Sequence, residues 1–255
     1  MDFSPNADHE AIREGIRRVC ADFPDEYWAK KDADHEFPWD FYDKLAEGGW
    51  VGMAIPTEYG GGGQGITEAS IMLEEIAASG AAMNGCSAVH LSVFGMEPVR
   101  KYGSPELAAE VLPRVAAGEL HVAFGVTEPD AGTDTTQIKT RAVRDGDEYV
   151  INGAKVWTTK APYCEMCLLL VRTTPIEECE SRTDGISLFL VDLQDPAVDI
   201  TPIPKLGRNA VVSCEVRYDN LRVPASRRIG DEGKGFRYIL DGLNPERVLI
   251  ASEAL

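Results

Sequence analysis

The chain has 255 residues, 44% of them hydrophobic, which is enough to bury one large core or two modest ones and lies outside the composition of disordered sequences. Forty-two acidic against 25 basic residues give a formal charge of −17, and the cations are scattered, which weighs against nucleic acid as a partner. No apolar stretch approaches the roughly 20 residues of a membrane span, and Asp8, Glu10, Arg13 and Glu14 stand where a secretion signal needs an apolar block.

To about residue 120 the pattern is helical. Ile12, Ile16, Val19 and Phe23 recur at helical spacing behind Asn6 and Asp8, and Phe41, Leu45 and Ala46 follow Pro38 until Gly48-Gly49. Thr67 precedes Ile71, Met72, Leu73, Ile76 and Ala77. Ser104-Pro105-Glu106 supplies a cap, a proline at the first helical position and an acid in the first turn. The Gly60 to Gly63 run matches no phosphate-binding pattern and reads as a tight helix-to-helix connection.

From residue 121 to 228 the runs become short and β-like. Tyr149-Val150-Ile151, Asn152-Gly153 and Lys155-Val156-Trp157 together predict a type I′ hairpin. Leu168 to Val171, Ile186 to Val191, Val198 to Ile203 and Cys214 to Tyr218 add strands at a spacing that suits a barrel or sandwich. After Gly233 and Gly235 helical character returns, and Asn244-Pro245-Glu246 predicts a fresh helix start. The six cysteines fit no disulfide framework, which suits a reducing cytoplasm. Cys164 and Cys167 run into a strand where positions three apart face opposite ways, so a structural role is expected for both. Common nucleotide-binding and hydrolase motifs are absent.

The segment Phe124-Gly125-Val126-Thr127-Glu128-Pro129-Asp130-Ala131-Gly132-Thr133-Asp134 resembles the flavin-binding signature of acyl-CoA dehydrogenases, whose common core is T-E-P-x-A-G-S-D. Tyr149 to Thr159 is similar to the family's segment ending in a tryptophan and a hydroxyl residue. Leu206-Gly207-Arg208 leading to Leu221-Arg222-Val223-Pro224, Ile55 to Gly61, and Asn244-Pro245-Glu246-Arg247 resemble further family motifs, so the likeness runs over nearly the whole chain.

The resemblance implies an α+β fold, with an all-α amino-terminal domain over 1–120, a β-barrel or sandwich middle domain over 121–232, and a truncated start of a helical bundle over 233–255. It implies FAD held by Phe124, Val126, Thr127, Gly132, Thr133, Trp157, Thr158 and Thr159, with Thr159 near the flavin N5 and Thr133 also reaching the CoA substrate. Chemically, Gly132 and the hydroxyls of Thr127 and Thr133 suit a pyrophosphate, and Trp157 with Thr159 suits a flat ring. The plainer alternatives are a core aromatic for Trp157 and turn-capping hydroxyls for Thr127 and Thr133. Many relatives carry tyrosine in place of Phe124, and a small polar residue in place of Lys160.

The implied reaction is α,β-dehydrogenation of an acyl-CoA to the trans-2-enoyl-CoA, in a tetramer that passes electrons to electron-transfer flavoprotein. An acyl-CoA oxidase, a flavin monooxygenase or a non-catalytic subunit of a mixed oligomer would share the pattern. Isovaleryl-type and long-chain-type members place the base where Glu246 stands, and most others carry it later in the chain. A glutamate complementing a helix dipole is the alternative role for Glu246.

Overall fold

The computed structural model describes residues 6–255. Asn6 opens the first helix, α1 (Ala7–Cys20), by accepting the His9 N–H at 2.8 Å, which satisfies a donor that has no partner within the helix. Six more helices follow: α2 (Asp25–Asp34), α3 (Trp39–Glu47), α4 (Ile66–Ala78), α5 (Ala82–Phe94), α6 (Glu97–Tyr102) and α7 (Pro105–Ala116). The expected stripes are core: Ile16, Phe41, Leu45, Met72, Leu73 and Ile76 are all buried. Ser104 caps α7 through the Leu107 N–H, with Pro105 in the first turn as the sequence predicts.

The glycine run is a tight connection. The N–H groups of Gly62, Gly63 and Gln64 bond to the carbonyls of Gly52, Ile55 and Met53, and a Cβ on Gly61 would lie 2.1 Å from the Ile55 oxygen. Those donors are spent on the protein itself, so the run offers no phosphate cradle.

The second half forms one eight-stranded sheet from β1 (Val122–Gly125), β2 (Arg141–Asp145), β3 (Glu148–Thr159), β4 (Met166–Arg172), β5 (Ile186–Asp192), β6 (Val198–Pro202), β7 (Ser213–Pro224) and β8 (Arg228–Ile229). The order is β6-β7-β3-β2-β4-β5-β8, with β1 parallel on β4, and the path does not close on itself. The hairpin expected at Asn152-Gly153 is not there. β3 runs straight through these residues, with a register shift between Ile151 and Gly153, and the turn lies at Asp145 to Glu148, where Gly146 has φ +64°. Gly153 serves close approach instead, because a Cβ there would lie 2.5 Å from the Thr140 hydroxyl.

The last helix, α8 (Gly235–Glu253), corrects a second expectation. Pro245 lies inside it, so Asn244-Pro245-Glu246 is no helix start. An interior proline costs about 3 kcal/mol. The buried positions Gly235, Tyr238, Ile239, Gly242, Leu249 and Glu253 keep one helical face continuous across it, and each large apolar side chain so buried contributes roughly 1.5–3 kcal/mol. This face packs on α4, α5 and α6, with Tyr102 of α6 stacked on Tyr238 at 4.1 Å.

All six cysteines are free, and no helix among the described residues is long and apolar enough to cross a membrane. Cys164 and Cys167 are both buried.

His121, just before β1, is buried against Tyr42 with ring centroids 4.3 Å apart, and its Nδ1 has no partner among the described residues. Burial, reinforced by the nearby Lys160, pushes its imidazole down to about 3. In the unfolded chain the ring titrates near 6.5, so between these values the unfolded state binds the extra proton and stability falls as pH falls. Between pH 7 and pH 5 the wild-type chain should lose about 2 kcal/mol more than His121→Phe, measured by urea unfolding. Equal losses would place the acid sensitivity elsewhere.

Candidate functional site

The loop after β1 is organised by a buried ion pair. Lys155, fully buried on β3, donates to Glu128 at 2.8 Å and to the Val126 carbonyl at 3.0 Å. Glu128 also accepts the N–H groups of Lys139 at 2.6 Å and Thr140 at 3.0 Å. Burial works to raise the Glu128 carboxyl, but Lys155 and those N–H groups outweigh it and hold it below the usual range. Burial pulls Lys155 down to about 8, with Glu128 opposing. The Thr127 carbonyl accepts the Val156 N–H at 2.9 Å, which lays Val126 and Thr127 beside β3.

Beyond this anchor the chain turns back between Glu128 and Ala131 and emerges at Gly132, Thr133 and Asp134, all exposed. Among the described residues, the N–H groups of these three find no protein acceptor, and the space where a Gly132 side chain would stand is open. A run of free N–H groups with a hydroxyl beside it is the donor set an anionic phosphate requires.

The end of β3 supplies a flat apolar surface. A register shift between Lys155 and Thr158 turns Trp157 outward with φ +61°, leaving it 56% exposed. Its role as a core aromatic is thereby excluded. Thr158 faces inward, fully buried with its hydroxyl unpartnered among the described residues, while Thr159 is half-buried and pairs with Ser213 in the ladder. Any contact of Thr158 with a ligand would therefore run through its backbone.

Helix α5 joins this face to α8. Phe124 packs on Phe94 with centroids 5.8 Å apart, and a side chain at Gly95 would come within 3.0 Å of the Phe124 ring. One turn earlier, His90 lies 3.0 Å from a carboxylate oxygen of Glu253 on α8, and both are buried. Glu246, two turns before Glu253 on the same helix, is half-buried. Burial raises its carboxyl, with His90 and Arg247 pulling the other way. This carboxylate of raised basicity thus lies on a helix tied to the same α5 strip as Phe124.

His90, Glu253 and the structural use of Glu128 and Lys155 were not singled out from sequence. Glu128 lies within the Phe124 to Asp134 segment, where the hydroxyls of Thr127 and Thr133 carry the chemical signal. α5 is buried on every side, so it carries no apolar stripe that would mark Ser87, His90 and Ser92 as inward-facing.

An unsatisfied N–H run, an exposed indole and hydroxyls at Thr127, Thr133 and Thr159 fit FAD, with the loop suited to its pyrophosphate and Trp157 to its ring. Residues 6–119 match the family model described as "Acyl-CoA dehydrogenase, N-terminal domain", and residues 123–221 match "Acyl-CoA dehydrogenase, middle domain". The acyl-CoA dehydrogenase FadE26 of Mycobacterium tuberculosis is 35% identical over 212 residues, covering 83% of this chain and 51% of the relative. The cyclohex-1-ene-1-carbonyl-CoA dehydrogenase of Syntrophus aciditrophicus is 36% identical over 230 residues, covering 88% and 53%. A crystal structure of an acyl-CoA dehydrogenase from Geobacillus kaustophilus superimposes with a TM-score of 0.89 at 26% identity, covering all of this chain and 66% of that one. The chain thus spans about half to two thirds of the length of these relatives. Two family models in order, relatives above 30% identity and a shared fold make one conclusion: the chain belongs to the acyl-CoA dehydrogenase family, whose members are FAD-dependent flavoproteins.

Proposed function

We propose that this chain carries the flavin-binding part, and one candidate base, of an enzyme that converts an acyl-CoA thioester to the trans-2-enoyl-CoA. The observation that carries the reading is the Gly132 to Asp134 run of free N–H groups beside the exposed Trp157. Phe124, Val126, Thr127, Gly132, Thr133, Trp157 and Thr159, with the backbone of Thr158, would hold FAD. When bound, FAD supplies the acceptor for the hydride that leaves the substrate β carbon. Glu246 takes the α proton, and the burial that raises its carboxyl brings its basicity toward that of an activated carbon acid. The exposure of Thr133 at the loop tip supports a contact with the CoA moiety as well. We extend the reading to electron-transfer flavoprotein as electron acceptor, to a homo- or hetero-tetramer, and to a reducing cytoplasm, which the six free cysteines suit.

The intact protein should purify yellow with noncovalent FAD, and refolding with excess FAD that yields no flavin absorbance would end the assignment. Trp157→Ala should weaken FAD binding by about 1 to 2 kcal/mol, roughly five- to thirtyfold, through lost stacking. Because the indole is more than half exposed, its removal should leave folding intact. Unchanged FAD affinity in a folded Trp157→Ala protein would remove the indole from the site.

A further inference from the structure

Lys160 is the group that neither the fold nor the proposed chemistry uses. Its side chain is 0% exposed, and a lysine carries three donors with no acceptor of its own. The only acceptor its amine reaches among the described residues is the Ala88 carbonyl of α5, at 3.3 Å. The amine also lies 5.8 Å from the centre of the Tyr42 ring, and no carboxylate among the described residues lies within ion-pair distance. Lys155, five residues earlier and equally buried, has Glu128. Burial without a counter-charge pulls the Lys160 amine below the ordinary lysine range. Such a residue is unfavourable for folding, and an apolar side chain of its length would suit the site better.

Its position gives the reason for keeping it. Trp157 and Lys160 both adopt left-handed backbone, with φ +61° and +54°, where non-glycine residues are strained. The turn they bound is held upstream by Lys155 on Glu128 and Val126, and downstream by the Lys160 N–H on the Val212 carbonyl at 2.8 Å. Among the described residues, the Lys160 side chain makes the one hydrogen bond from this turn to α5. That helix in turn fixes Phe124 through Phe94 and Gly95.

We propose that Lys160 is a positioning residue: seated on the Ala88 carbonyl, it locks the left-handed turn at the end of β3 to α5 and so fixes Trp157 and Thr159 relative to Phe124 across the flavin site. The inference rests on the flavin reading above. Its signature is a split between stability and cofactor binding, since the group is costly to the fold and useful only to the site.

The test uses the intact protein with FAD. Lys160→Met keeps the length of the side chain and removes the donor. It should melt, as apoprotein, at the wild-type temperature or a few degrees above it. Its dissociation constant for FAD should rise about tenfold, and the flavin reduction potential and visible spectrum should shift. Wild-type FAD affinity, potential and spectrum in the variant would overturn the proposal, and so would a lowered melting temperature with unchanged affinity, which marks a purely structural lysine. If the methionine variant does not fold, Lys160→Leu, which likewise removes the donor, is read by the same split. Failure of the wild-type control to bind FAD would instead sink the flavin reading itself, so the two failures are distinguishable.

Discussion

Glu246→Gln in the intact, FAD-loaded protein should slow anaerobic bleaching of the flavin by a good acyl-CoA substrate by roughly 10²- to 10⁴-fold, the usual contribution of a positioned general base. Glutamine matches glutamate in size and helix propensity, so α8 should be undisturbed. The competing role for this residue, complementing a helix dipole, loses its basis because α8 begins at Gly235 and Glu246 stands about three turns inside it. A carboxyl whose proton affinity is raised by burial should also leave a kinetic trace, since the base must be ionised to act. Bleaching by the wild-type protein should therefore decline as pH falls, starting above the usual glutamate value of about 4.3, and the residual rate of Glu246→Gln should lack that limb. Bleaching of Glu246→Gln within about tenfold of wild type would sink the catalytic role and direct attention to a glutamate elsewhere in the protein.

What sequence could disclose follows the reach of its signals. Strong local patterns survived contact with the structure: the Asn6 and Ser104 caps, the buried stripes of α1, α3 and α4, and the strands at β4 and β5. Two equally strong local patterns did not. Asn152-Gly153 has hairpin chemistry, but Asp145-Gly146 has it too, and only the pairing of β2 with β3 and of β3 with β7 decides which one turns. Asn244-Pro245 has helix-start chemistry, yet the face of α8 buried on α4, α5 and α6 outweighs the lost hydrogen bond. In both cases contacts distant in sequence overrode a local preference.

The site divides in the same way. Motif residues such as Thr127, Thr133 and Trp157 were legible because they sit together in short segments, and Trp157 does stand on the surface. The contacts that tie the end of β3 and α8 to α5, Lys160 on Ala88 and His90 on Glu253, join residues 72 and 163 positions apart and leave no local trace.

The buried Glu128–Lys155 pair carries the second large effect. Glu128→Ala should destabilise the intact protein by about 3–5 kcal/mol, the range for breaking a buried ion pair by removing one partner. Lys155 would remain fully buried with only the Val126 carbonyl, and the N–H groups of Lys139 and Thr140 would each lose their acceptor. Against a total stability that for most domains is about 5–15 kcal/mol, such a loss is visible in any denaturant titration. Replacing Lys155 by methionine as well as Glu128 by alanine removes the stranded charge, so the double variant should recover a substantial part of the loss made by Glu128→Ala alone. That recovery separates the cost of an unpaired lysine from the cost of the lost backbone acceptors, which the double variant still lacks. A loss below about 1 kcal/mol for Glu128→Ala would mean that the loop carrying Thr127 and Thr133 is held by something other than this pair.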